Sequence, residues 1–209
     1  MINNKQLITL IIFFVTLNIF SQINLDQNGV KSTVVGPLSA SDDQAKRYEI
    51  ASIGYNSHHW QAGGLVIIEL YNEYYSTGYE KYIIENGYGQ GSEGSSAELK
   101  RVDSYGLIHS GKIILGSPIN LSTSVGGYIN KQLPIYLDVR YYARYKVKIT
   151  YLQQKVDVLT DVNQIQINLN PVGNNINDFP ESNVLNTDLK ITGLGNHYIE
   201  NGNVGIGTI

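Results

Sequence analysis

Three groups of side chains in this sequence are of types that do chemistry. His58-His59-Trp60 sets two imidazoles beside the single tryptophan of the chain. Adjacent side chains of an extended backbone point to opposite sides, so the two histidines cannot readily chelate one ion from one chain. A ring of three His59 side chains from three chains could do so. We expect no metal and no cofactor. His109 and His197 stand alone, which fits a surface or capped residue better than a ligand. The stretch YNEYYSTGYEKY carries Tyr71, Tyr74, Tyr75, Tyr79 and Tyr82 around a turn at Ser76 to Gly78. Aromatic rings with polar rims stack on sugar faces while Asn, Asp and Gln bond hydroxyls. Trp60, Tyr74, Tyr75 and Tyr79, with His59, are therefore the candidate ligand-binding residues, for a cell-surface glycan or receptor. The alternative is that these tyrosines cover apolar surface or fill a subunit interface, where Tyr is also enriched.

Carboxylates form the third group. Asp42/Asp43, Glu69/Glu73, Asp157/Asp161 and Asp178/Glu181 are the close pairs, and glycoside hydrolysis needs two carboxyls facing each other at about 5–9 Å. Solvated charges on loops and strand faces account for them as well. HExxH, GxSxG and P-loop patterns are absent from the sequence, so no catalytic residue is assigned. A polysaccharide-cleaving enzyme on a β scaffold stays as the alternative to a binding module, and a purely structural spacer as a third.

The elements that must position these residues are strands. The composition is 42% hydrophobic and 16% charged, with 16 Tyr, 4 Phe and 1 Trp, so uncharged polar residues and strand-favouring tyrosine make up the difference. From Lys46 the sequence alternates with period two. In LPIYLDVRY, Leu133, Ile135, Leu137, Val139 and Tyr141 fall on one face; in RYKVKITY, Tyr145, Val147, Ile149 and Tyr151 do; in QIQINL, Ile165, Ile167 and Leu169 follow. Further strands are read at 48–54, 64–71, 79–85, 98–109 and 112–116, with glycine and serine loops at 55–64, 87–96 and 116–127. Eight or nine strands of this kind predict an all-β fold, an antiparallel two-sheet sandwich or a barrel. Pro134 predicts an edge strand or a strand start.

The domain plan has four parts. Residues 1–21 read as a secretory signal peptide, with Lys5, an apolar run from Leu7 to Phe20 and a cut after Ser21. That run is shorter than the ~20 residues of a membrane span, so the mature chain is expected to be secreted or surface-displayed with no span left. Residues 22–45 form an N-terminal arm or first edge strand, 46–170 the β head, and 171–209 an Asn/Gly-rich segment too poor in apolar residues for its own core. That last segment is either a disordered tail or one that orders against copies of itself. A formal net charge of −3 without a Lys/Arg block argues against nucleic acid. With no cysteine, stability has to come from core size, bound metal or oligomerisation.

GNVGIGT at 202–208 resembles a motif that recurs in Bacteroidetes surface proteins and phage tail-fibre proteins. The Phe-Ser-Gln end of the signal is similar to signals common in the Bacteroidetes. The β domain resembles fibre heads of the jelly-roll type, with a YEIASI-like first strand, a Trp-containing loop and a late LYLDVRYYARYKVKITY-like hairpin. This resemblance implies an adhesin-like, glycan-binding homotrimer in which the C-terminal segment is an extended β-ribbon. In it Gly205 and Gly207 allow close backbone approach at a threefold axis, and Val204 and Ile206 bury one another there. Ile209 departs from the pattern, where Thr is expected, and a sequence truncated at that point would account for it.

Overall fold

The computed structural model describes residues 25–27, 30–40, 43–56, 64–86, 97–153 and 165–182. They contain no helix. The strands are β1 Leu25–Gln27, β2 Val30–Ala40, β3 Lys46–Tyr55, β4 Gly64–Asn72, β5 Gly78–Asn86, β6 Glu98–Gly106, β7 Gly111–Leu115, β8 Ile119–Val125, β9 Tyr128–Val139, β10 Ala143–Gln153, β11 Ile165–Ile167 and β12 Asn174–Asn175. Every pairing is antiparallel. The first sheet has the order β1-β2-β10-β4-β5-β6. The second runs β11-β3-β9-β7, with β12 also on β3 and β8 also on β9. The sheets pack face to face as a sandwich, because alternate side chains of both enter one core.

Strand β10 shows how the sequence forces this. Ala143, Tyr145, Val147 and Ile149 are buried while Arg144 and Lys146 are exposed, which is the alternation that gives a sheet one dry face. From β4 and β5 the same core receives Val66, Ile68, Leu70, Tyr82 and Ile84; from β9 it receives Leu133, Ile135, Leu137 and Val139. Each such side chain contributes about 1.5–3 kcal/mol when fully buried.

Five expectations are corrected. The polar stretch before Lys46 is not confined to an arm or an edge: β2 is 11 residues long and lies between β1 and β10. Its Val35, Leu38 and Ala40 are buried, three apolar contacts that a glance at its Ser and Gly content hides. The segment 116–127, read as a loop, contains β8. Pro134 lies inside β9, which is flanked by β3 on one side and by β7 and β8 on the other. Its carbonyl accepts the Gly116 N–H at 2.8 Å, so its ring nitrogen faces the same side. The chain there is passing from β7 to β8, where a missing N–H deprives no ladder of a partner. Finally, β9 ends at Val139, and Tyr141 is 39% exposed in the turn to β10 instead of sharing the buried face. Leu169 likewise falls beyond β11 and is exposed.

Residues 165–182 strap the sandwich. β11 pairs with β3 at Ile165↔Ile53, the Asn168 N–H reaches the Ile50 carbonyl at 2.9 Å, and the Ile176 N–H reaches that of Ala45 at 2.9 Å. Gly173 lies flat on Tyr48, where an added Cβ would sit 2.6 Å from the ring. Beyond it, Arg140 grips Asp178 through Nε and Nη2 at 3.1 and 2.9 Å, Ser110 Oγ donates to Glu181 at 2.5 Å, and Arg101 donates to the Ser182 carbonyl and, at 3.2 Å, to its Oγ. The beginning of the Asn/Gly-rich segment is thus ordered against its own domain, because polar side chains of β6, of the connection into β7 and of the β9–β10 turn replace the apolar contacts it lacks. Residues 183–209 lie outside the described residues.

Candidate functional site

The turn from β4 to β5 and the turn from β9 to β10 meet at one end of the first sheet. They are joined by the Glu73 N–H donating to the Arg144 carbonyl at 2.9 Å. Asn72, buried at the end of β4, shapes the first turn by donating its Nδ2 to the carbonyls of Tyr74 at 2.9 Å and Ser76 at 2.7 Å. With its interior occupied by Asn72, the turn throws both tyrosines outward: Tyr74 is 45% and Tyr75 77% exposed. Tyr75 has φ of 64°, and Tyr142, in the second turn, has φ of 54°. Left-handed backbone at a bulky residue costs on the order of 1–2 kcal/mol, and such strain concentrates at binding and switching sites.

The rings gather into one cluster. Tyr74 and Tyr75 stand edge to face with centroids 4.3 Å apart, and Tyr141 and Tyr142 do the same at 5.8 Å. The Arg140 guanidinium lies 5.1 Å over Tyr141, held by Asp178, whose carboxyl that arginine keeps below the usual carboxylate range. A hydrogen bond with Tyr74 is the main cause that pushes the Tyr75 hydroxyl up. Between them opens a shallow depression of about 170 Å³ lined by Ser39, Ala40, Tyr74, Tyr142, Ala143 and Arg144. That is smaller than the roughly 300–1,000 Å³ of pockets that enclose a ligand. It suits one ring of a larger molecule. Arg144 and Lys146 converge on Glu73 at 3.4 and 2.7 Å, so polar donors and acceptors rim the aromatic floor.

Two of the expected ligand-binding residues, Tyr74 and Tyr75, are in this cluster. Tyr79 is not. It faces outward from β5, its hydroxyl donating to Glu69 at 3.1 Å and its ring 5.4 Å from that of Tyr71. Burial first and Glu69 second push its hydroxyl up. Trp60 and His59 lie outside the described residues, as do Val204, Gly205, Ile206 and Gly207.

Tyr141, Tyr142 and Arg144 escaped the sequence reading because RYYAR was absorbed into a continuous alternation. The signal was present: two adjacent tyrosines cannot both lie on the same face of a strand, and they mark the break at which β9 turns into β10. The carboxylates also resolve into partners. Glu69 bonds Lys148 at 2.8 Å and Tyr71 at 3.2 Å, Glu73 bonds Arg144 and Lys146, and Asp178 and Glu181 converge on Arg140.

His109, expected at the surface or as a cap, is buried in the connection from β6 to β7. Its Nε2 is 3.0 Å from the Gly106 carbonyl, an acceptor only, so Nε2 carries a hydrogen. Nδ1 faces Glu80 Oε1 at 3.1 Å, and Glu80 Oε2 accepts the Tyr82 hydroxyl at 3.0 Å. Burial pushes the Glu80 carboxyl up, against the pull of Tyr82, Arg101 and His109. Glu80 thus binds the imidazole through one carboxyl oxygen and the Tyr82 hydroxyl through the other, closing the network within the core. With Glu80 1% and His109 7% exposed, this network is a lock inside the sandwich rather than a surface that meets ligand. Among the described residues no group of three His, Cys, Asp or Glu side chains is placed to hold a metal ion. No helix among them is long and apolar enough to cross a membrane. Comparison of the chain with protein-family models, with curated proteins and with solved structures finds no match.

Proposed function

We propose that this chain is a non-catalytic binding module of a secreted or surface-displayed, adhesin-like protein, and that the tyrosine cluster of the two turns is its glycan-binding surface. One observation carries the assignment: Tyr75 and Tyr142 each occupy left-handed backbone, in two different turns that meet at one end of the sheet, and present rings at 77% and 51% exposure. A folding argument gives no reason to keep a strained tyrosine out in water. Stacking on the apolar face of a sugar does, and the Arg144–Glu73 rim supplies donors and acceptors for its hydroxyls.

A glycan array probed with the full chain tests this. Binding to a subset of glycans is expected, and Tyr75→Ala and Tyr142→Ala should each weaken it about tenfold, a loss of the size an aromatic contact supplies. A folded protein that binds nothing would leave the spacer alternative standing. New reducing ends in a bound glycan would replace the proposal with the glycan-cleaving one.

A further inference from the structure

The outward face of the first sheet carries rows of side chains set by strand register. One row crosses four strands as Asp103, Lys81, Glu69 and Lys148, since Lys81 is opposite both Asp103 and Glu69, and Lys148 is opposite Glu69. Its charges read minus, plus, minus, plus. The row on the turn side is Tyr105, Tyr79, Tyr71 and Lys146, and the row on the other side has Ile83 beside Ile67 at its centre. Tyr105 is 76% and Tyr71 38% exposed, and the two isoleucines are only partly covered. A solvent face that sets tyrosines and isoleucines around an ordered charge row is not a surface built for water alone.

A twofold axis parallel to the strands, passing between Lys81 and Glu69, reverses the row and turns it over. Asp103 then meets the partner's Lys148, and Lys81 meets the partner's Glu69. In the neighbouring rows Tyr79 meets the partner's Tyr71, Ile83 the partner's Ile67, and Tyr105 the partner's Lys146 as a cation–π pair. A twofold axis along the row instead would set Asp103 against Asp103 and Lys81 against Lys81. The charge order therefore selects one of the two symmetric ways of stacking this face on itself. We infer that the outward face of the β10-β4-β5-β6 sheet is a self-complementary docking surface whose partner is a second copy of this chain. The next row, with Glu98 and Glu85 beside Leu65 and Leu152, lacks the relation and bounds the patch.

Three rows about 6.8 Å apart on four strands about 4.8 Å apart cover roughly 400 Å² on each partner. About 800 Å² in all is a weak, transient interface. Exposed ion pairs add little to its strength; the apolar rows hold it while the charges set orientation and register. Because the axis runs along the strands, both tyrosine turns point the same way. Two weak ligand sites then face one surface, and their combined attachment exceeds either alone.

Sedimentation equilibrium of the full chain from about 5 µM to 1 mM should show the average mass rising from one chain toward two, a range chosen for a weak interface. Lys81→Glu should weaken association about tenfold by setting two carboxylates against each other. Inverting the whole row, with Asp103→Lys, Lys81→Glu, Glu69→Lys and Lys148→Asp together, should restore self-association and abolish mixing with the unaltered chain. Circular dichroism verifies that each variant is folded. A one-chain mass throughout, a three-chain mass, or folded inverted protein that stays single or still mixes would each overturn the inference.

Discussion

The two faces of the first sheet each hold a carboxylate bonded to tyrosine, and they behave in opposite ways. Outside, Glu69 accepts the hydroxyls of Tyr79 and Tyr71 and faces Lys148 at 2.8 Å. Burial pushes its carboxyl up, but Lys148 and the tyrosines outweigh that and hold it below the ordinary range. Inside, Glu80 accepts from Tyr82 beside His109, and there burial prevails and the carboxyl is raised. Tyrosine hydrogen bonds are common to both sites. What separates them is a wet lysine at ion-pair distance against the loss of water, so the outer site is a charged seam and the inner one a buried lock.

The largest expected effect separates the two by truncation. Glu80→Ala strips partners from His109 and Tyr82 inside the core and should destabilise the fold by about 3–5 kcal/mol. Glu69→Ala leaves its partners to water and should cost about 1 kcal/mol or less. Urea unfolding of both variants checks this, and equal losses would erase the contrast. A second expected difference is in pH dependence. Glu80 is held more protonated in the folded chain, so its contribution is full below the ordinary carboxylate value and fades as pH rises through the elevated folded value. Glu69 and Asp178 are lowered, so theirs is full above the ordinary value and fades as pH falls through the depressed folded value. Urea midpoints across pH should show Glu80→Gln flattening the loss on the alkaline side and Glu69→Gln the loss on the acid side. The smallest effect concerns the strained turn. Tyr142→Gly relieves left-handed backbone but frees the unfolded chain, so stability should shift by no more than about 1 kcal/mol. Glycan binding should nevertheless weaken about tenfold, as for Tyr142→Ala, and a large destabilisation would mean that the ring serves the fold instead.

Much of this fold could be read from spacing. The alternation of Tyr145, Val147 and Ile149 with Lys146 and Lys148 predicts one dry face, and β10 has it. The run of β4 through Val66, Ile68 and Leu70 is equally plain. Legibility failed where a polar composition concealed a few well-placed apolar residues, as in β2, and where a turn interrupted an alternation without glycine, as at Tyr141 and Tyr142. The candidate site was half visible for the same reason. Tyr74 and Tyr75 flank an obvious turn, whereas Tyr142 and Arg144 join them only because β4 and β10 pair with Asn72 opposite Tyr145.

By itself the order of residues determined the class of fold, since apolar side chains at period two, with no amphipathic helix to cover them, are buried by stacking sheets. It also set which faces of β4, β9 and β10 are dry. Tertiary structure decided the partners: that Glu80 meets His109 and Glu69 meets Lys148, that residues 165–182 close over the sandwich, and that tyrosines nearly 70 positions apart share one end of it. Alternation is a local property that each strand carries alone, whereas register and sheet order depend on which strands meet, and no stretch of sequence holds that information in isolation.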